Sequence, residues 1–229
     1  MDNRGLDSLL WRRPPLIQTQ TIDRFPPDDR LGCVNTKKLT IDTASGQIVE
    51  ARQIPSPNQD ARPGGVEPDL IVIHCISLPP GQFGGPHIEE LFTNCLDPAA
   101  HSYFGEICGL EVSAHVLIRR NGEILQFVPF HQRAWHAGAS CHEGREACND
   151  FSIGIELEGT DDGEFDSRQY DSLAVLVDEL TNRYPGLCSD RIVGHSEIAP
   201  GRKTDPGPGF DWNQLNALLR GEQRYNPVT

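Results

Sequence analysis

The run Leu70-Ile71-Val72-Ile73-His74 sets the class of fold. Four apolar residues follow one another without polar alternation, and three of them are β-branched. Such a run suits a central strand buried on both faces. A strand covered on both sides calls for helices above and below its sheet. His74 falls at the C-terminal end of the run, the edge where α/β sheets present their chemistry. A histidine there also suits a purely structural role.

Other segments supply the rest of such a sheet. Phe151, Ile153, Ile155 and Leu157 alternate with Ser152, Gly154, Glu156 and Glu158, which predicts a second strand. Gly154 leaves room beside Glu156 for a close approach. Residues 112–128 read as a β-hairpin turning at Asn121-Gly122. Arg191-Ile192-Val193-Gly194 is a short strand delivering His195. Helices are predicted from Pro86, with a stripe of Ile88, Leu91, Phe92 and Leu96, and over 168–183, capped by Ser167. A last helix, capped by Asp211, turns Trp212, Leu215, Leu218 and Leu219 inward. The expected fold is α/β: a single domain with a mixed central β-sheet flanked by helices.

At 229 residues the chain can bury one real core. Residues 1–48 hold breakers such as Pro14-Pro15 and Pro26-Pro27 and lack a sustained period. They are expected to form a partly ordered extension, with a short hairpin around Leu39-Ile41 and Ile48-Val49. The domain then spans 49–222, and 223–229 form a tail. A formal charge of −13 argues against a nucleic-acid partner. No apolar stretch reaches the roughly 20 residues of a membrane span. Seven cysteines, an odd number without a C-x-x-C pair, point to reduced thiols. The expectation is a soluble cytoplasmic protein, a monomer without nucleic-acid or membrane partner.

The stretch 194–208 is poor in bulky apolar residues, but offers His195, Lys203 and Asp205 between three prolines and three glycines. It reads either as a rigid surface loop or as one wall of a hydrolytic metal site. With His74 it makes a three-ligand set, His74, His195 and Asp205, suited to zinc with a fourth position open. Six other histidines weaken a choice made by counting alone. Glu156 is either a strand-edge ion-pair partner or a general base. Lys203 is either a surface lysine or an oxyanion partner facing the same cavity.

Several stretches in order carry a resemblance: Ile73-His74 with Ile76-Ser77-Leu78-Pro79-Pro80-Gly81 and Phe83-Gly84-Gly85, then Val112-Ser113-Ala114-His115, then Arg133-Ala134-Trp135-His136-Ala137-Gly138. The block Cys148-Asn149-Asp150-Phe151 through Glu156 to Asp161, and Gly194-His195 through Lys203-Thr204-Asp205-Pro206-Gly207-Pro208, complete it. Together they resemble the AmpD-type N-acetylmuramoyl-L-alanine amidases, within the wider zinc amidase and peptidoglycan-recognition superfamily. The resemblance spans about residues 52–212 and leaves the N-terminal segment uncovered.

The resemblance implies one Zn2+ per chain on His74, His195 and Asp205, with Glu156 and Lys203 as catalytic residues. It implies a small-molecule muropeptide substrate cut between the lactyl group and L-Ala. Cys75, Trp135 and His136 fall at positions that imply substrate contact, and Trp135 serves equally well as core. Cys75 stands where relatives carry Asn, and Glu111 and Ala147 where some carry Arg, so peptide recognition is expected to differ. Two other readings are a non-catalytic muropeptide-binding receptor and a cysteine peptidase built on Cys75.

Overall fold

The computed structural model describes residues 38–222. The expected tail and the part of the extension before residue 38 lie outside the described residues. The rest of the expected extension belongs to the packed domain. β1 (Ile41–Asp42) and β2 (Gln47–Ile48) form an antiparallel hairpin. Leu39, Ile41 and Ile48 are buried in the largest apolar cluster. The domain therefore starts about ten residues before the expected boundary at 49, because these three side chains have a core face to bury.

The central sheet is six-stranded and mixed. Its strands are β3 (Arg52–Gln53), β5 (Leu70–Ile76), β6 (Val116–Ile118), β7 (Ile124–Gln126), β11 (Ser152–Glu158) and β12 (Ile192–Gly194), ordered β12-β5-β11-β6-β7-β3. β5 and β11 lie in the middle, paired in parallel, and every residue of both is buried. The β-branched run at 70–73 is thus a two-sided central strand. Within this sheet only β6 and β7 pair antiparallel, turning at Asn121-Gly122 with Gly122 at φ +82°. Smaller ribbons pair β4 (Gln59–Ala61) with β8 (Gln132–Ala134), and β9 (Cys141–His142) with β10 (Arg145–Glu146).

Alternation along β5 and β11 separates two layers. Ile71, Ile73, Cys75, Ile153, Ile155 and Leu157 face α3 (Ser167–Arg183) and α5 (Trp212–Leu219). The helix stripe of Tyr170, Leu173, Leu176, Val177 and Leu180 covers them. α3 begins one residue earlier than expected. Asp166, not Ser167, caps it, accepting from Arg168 N–H, while Gln169 reaches back to the Asp166 N–H. The opposite layer holds α1 (His87–Phe92) and α2 (Phe104–Ile107), packed on Ile76, Leu117, Leu125 and Phe127. α1 stops at Phe92, so Leu96 of the expected stripe lies beyond it. On that second face, Leu70 and Val72 pack against Ala137, Cys148, Val193 and Ile198. His74 emerges between these two apolar patches. Among the described residues no helix is long and apolar enough to cross a membrane.

Candidate active site

Strand register brings the polar groups together. His74 on β5 pairs directly with Glu156 on β11, and in-register neighbours share a face. β12 lies on the other side of β5, with Gly194 opposite Ile73. The next residue, His195, opens the four-residue helix α4 (His195–Ile198) and turns towards His74. The chain then folds back: Lys203 N–H donates to Ala199 O at 3.1 Å, and Ser196 N–H donates to Asp205 O at 2.9 Å. That closure places Asp205 beside both imidazoles.

The three side chains meet at a point. His74 Nδ1 lies 3.0 Å from His195 Nδ1, and each lies 3.0 Å from Asp205 Oδ2. All three are at most 1 % exposed. Asp205 Oδ1 is buried with no hydrogen-bond partner. Two ring nitrogens and a carboxylate oxygen converging at this distance in a dry site call for positive charge among them, from a proton or from a metal cation. Ligand atoms in a tetrahedron about 2.0–2.1 Å from zinc are roughly 3.3 Å apart, close to the separation found here. Two neutral nitrogens and one carboxylate oxygen therefore fit a divalent cation such as zinc. His195 Nε2–H donates to Ala137 O at 3.2 Å, which leaves its Nδ1 lone pair directed at the cluster.

Electrostatics follow from the burial. Desolvation, then the neighbouring His195, lower the His74 pKa to about 4, so the ring is neutral at pH 7. Glu156 is raised well above its ordinary value by burial and then by Asp205, and Lys203 opposes the shift. Its Oε2 is buried without a hydrogen-bond partner. Glu156 is thus no strand-edge ion-pair residue. Lys203 is buried, not a surface lysine, and its charge acts on both Glu156 and His74.

Three residues expected at the substrate have the following surroundings. Cys75 is buried on the α3 side of β5, and its thiol donates to Asp161 Oδ1 at 3.3 Å. Burial, then Asp205 and Asp161, push that thiol well above its usual pKa, which removes the thiolate a cysteine peptidase needs. Trp135 Nε1–H donates to Asp60 Oδ1 at 3.2 Å, a carboxylate also held by Arg133. His136 lies behind the cluster, its Nδ1 2.9 Å from His74 Nε2. Its ring fills the space over Gly154: a Cβ there would sit 2.4 Å from His136 Cγ. Glu111 and Ala147 are exposed.

Two supporting residues had no separate signal in the sequence. Asp161 accepts from both the Thr204 hydroxyl and the Cys75 thiol, tying the 199–208 loop to the end of β5. Arg62 is buried beneath β11, donating to Ser152 O at 2.9 Å and to Phe130 O at 3.1 Å. Burial lowers its pKa to about 10. Nothing in a single arginine distinguishes one that serves carbonyls from one on the surface.

Comparison with known proteins matches this arrangement. A profile of the N-acetylmuramoyl-L-alanine amidase family matches residues 64–208. The chain is 57 % identical over 175 residues to the 1,6-anhydro-N-acetylmuramyl-L-alanine amidase AmpD of Enterobacter cloacae, covering 76 % of this chain and 93 % of that protein. A crystal structure of a selenomethionine derivative of AmpD superposes with a TM-score of 0.75 at 57 % identity, covering 76 % of this chain and 97 % of that one. The solution structure of Citrobacter freundii AmpD matches with a TM-score of 0.56 at 55 % identity, covering 80 % and 96 %. With its ordered sheet, its buried His-His-Asp cluster and these matches, the chain belongs to the N-acetylmuramoyl-L-alanine amidase family.

Proposed function

We propose that the chain is a zinc-dependent amidase of peptidoglycan recycling, hydrolysing the bond between the lactyl group of 1,6-anhydro-N-acetylmuramic acid and L-Ala. The observation that carries this reading is the convergence of His74, His195 and Asp205 at 3.0 Å beside a partnerless Glu156 carboxylate oxygen. The named activity of the AmpD relatives supplies the substrate.

His74 and His195 through Nδ1, and Asp205 through Oδ2, would hold the zinc. Zinc in such a site supplies Lewis acidity, polarising a carbonyl and acidifying water. Glu156 takes a proton from the attacking water on its free Oε2 and returns it to the departing alanine nitrogen. As the new C–O bond forms and the C–N bond breaks, that nitrogen leaves as an amine. Lys203 donates to the oxygen that gains negative charge. A Glu156 raised in pKa by burial is a stronger base than an exposed carboxylate and can act as acid in the return step.

A non-catalytic receptor has no use for this complete set, so it is not favoured. The deciding experiment incubates the protein with anhydro-muropeptide, with and without chelator, and follows peptide release by mass spectrometry. Chelator-sensitive release is expected; none would remove the amidase reading. We place the enzyme in the cytoplasm as a monomer, which fractionation and light scattering check. Recovery with the envelope fraction, or the mass of a dimer, would remove these assignments.

A further inference from the structure

His136, expected at the substrate, and the next residue, Ala137, both touch the His-His-Asp cluster. The Ala137 carbonyl meets His195 Nε2, and the His136 ring meets His74 Nε2. One side chain aligns both positions: Asn149 Oδ1 accepts the His136 N–H at 3.1 Å and the Ala137 N–H at 2.8 Å.

The two contacts differ in kind. A carbonyl only accepts, so His195 must carry its proton on Nε2. An imidazole both donates and accepts, so His136 alone does not dictate the tautomer of His74. The direction is set further back. His136 Nε2 lies 3.2 Å from Ser152 Oγ, and Ser152 Oγ lies 2.6 Å from Cys148 O. Two oxygens at that separation require a hydrogen between them, and only the hydroxyl can supply it. Ser152 then accepts from His136 Nε2–H. His136 Nδ1 is left bare and accepts from His74 Nε2–H. His74 Nδ1 is left bare and faces the cluster. The reverse order of protons would leave Ser152 Oγ and Cys148 O in contact without a hydrogen.

We propose that His136 and Ser152 form a one-way hydrogen-bond relay, anchored on the Cys148 carbonyl, that fixes His74 with its Nδ1 lone pair towards the metal. Both are positioning residues: they act through His74. The inference rests on the metal reading above. Partners of this kind set the tautomer and orientation of a ligating imidazole, and losing one typically costs about 10–100-fold in metal affinity.

The test measures zinc affinity by chelator competition in wild type, His136→Leu, His136→Asn and Ser152→Ala. In His136→Asn the amide oxygen stands where Nδ1 stood and still accepts from His74. His136→Leu is expected to bind zinc about 10–100-fold more weakly. His136→Asn should recover most of that loss, and Ser152→Ala should fall between the two. Equal affinity in wild type and His136→Leu overturns the relay, as does equal loss in the leucine and asparagine variants or an unchanged Ser152→Ala. If wild type itself binds no zinc, the metal reading fails first and takes the relay with it. Nitrogen NMR of the zinc-loaded wild type needs no folded variant. It should show His136 protonated on Nε2, bare on Nδ1, and coupled through the hydrogen bond to His74 Nε2. A proton on His136 Nδ1 overturns the proposal.

Discussion

Glu156 and His74 face each other in register across the two central strands, and both are buried. His74 turns a ring nitrogen to the His-His-Asp cluster. Glu156 is a carboxylate with a partnerless oxygen in the same dry space. A pair so placed costs stability, and that cost is the signature of a working site.

Glu156→Gln separates the two effects. The folded pKa of Glu156 lies above its unfolded value of about 4.5, so the carboxylate lowers stability as pH rises through the folded pKa. The amide carries no charge to bury. The variant is expected to gain about 1–3 kcal/mol at neutral pH while losing at least roughly 100-fold in turnover. Urea unfolding of chelator-treated protein reads the first, and single-turnover kinetics on zinc-loaded protein the second. Full activity would exclude Glu156 as the proton carrier.

Gly154→Ala tests the packing beneath the site. The added methyl would lie 2.4 Å from His136 Cγ, far inside van der Waals contact. Neither a central strand nor a ring hydrogen-bonded at both nitrogens can yield without breaking bonds. A loss of about 1–3 kcal/mol is expected, with weaker zinc binding as His136 shifts. Thermal melts and chelator competition read the two; an unchanged zinc affinity would show that the ring finds another seat.

The parts of this protein legible in its sequence are those where one local rule dominates. The β-branched run at 70–73 marked the central strand, and Asn121-Gly122 marked the hairpin. His74, His195 and Asp205 are far apart in sequence, and only sheet register and loop closure bring them to one point. The family resemblance, rather than spacing, singled them out among eight histidines. Gly154 did signal a close approach, but nothing local could say that the approaching group was His136. Cys75 and Trp135 were placed by their neighbours in sequence. The pleat sends Cys75 to the opposite face of its strand from His74, and the Trp135 indole N–H turns to Asp60 on β4. The boundary at 49 failed because three isolated apolar residues, Leu39, Ile41 and Ile48, show no period yet find a core face.

Asp161 should matter without touching the cluster. It holds Thr204, between Lys203 and Asp205, and reaches β5 through Cys75. In Asp161→Ala the loop keeps its backbone bonds, including Gly209 N–H to Asp161 O, but loses this side-chain tie. A misplacement of Lys203 by a fraction of an ångström acts on the transition state more than on binding, so kcat is expected to fall about tenfold with KM little changed. Asp161→Asn, which keeps an acceptor, should lie between. Steady-state kinetics decide it, and a rise in KM alone would recast Asp161 as a residue of the binding surface.

His115 sets a pH dependence that belongs to the fold and not to the metal. Its Nδ1 accepts from Gly154 N–H at 3.0 Å, and its Nε2 lies 3.1 Å from both Gln132 O and Arg62 Nη2. Burial first, then the Arg62 charge, hold its pKa well below 6.5. A second ring proton would point at the Gly154 N–H. The unfolded chain takes up that proton below about pH 6.5 and the folded protein does not, so stability is complete above that pH and is lost as pH falls below it. One such group contributes a slope of up to about 1.4 kcal/mol per pH unit. His115→Asn keeps an acceptor for Gly154 but cannot titrate. Chelator-treated wild type and variant, unfolded in urea between pH 7.5 and 5, should differ in slope by close to that amount. The variant should be less stable at pH 7.5 and flatter towards pH 5. Parallel slopes would mean that folded His115 accepts the proton, and that the tautomer drawn from Gly154 and Gln132 is wrong.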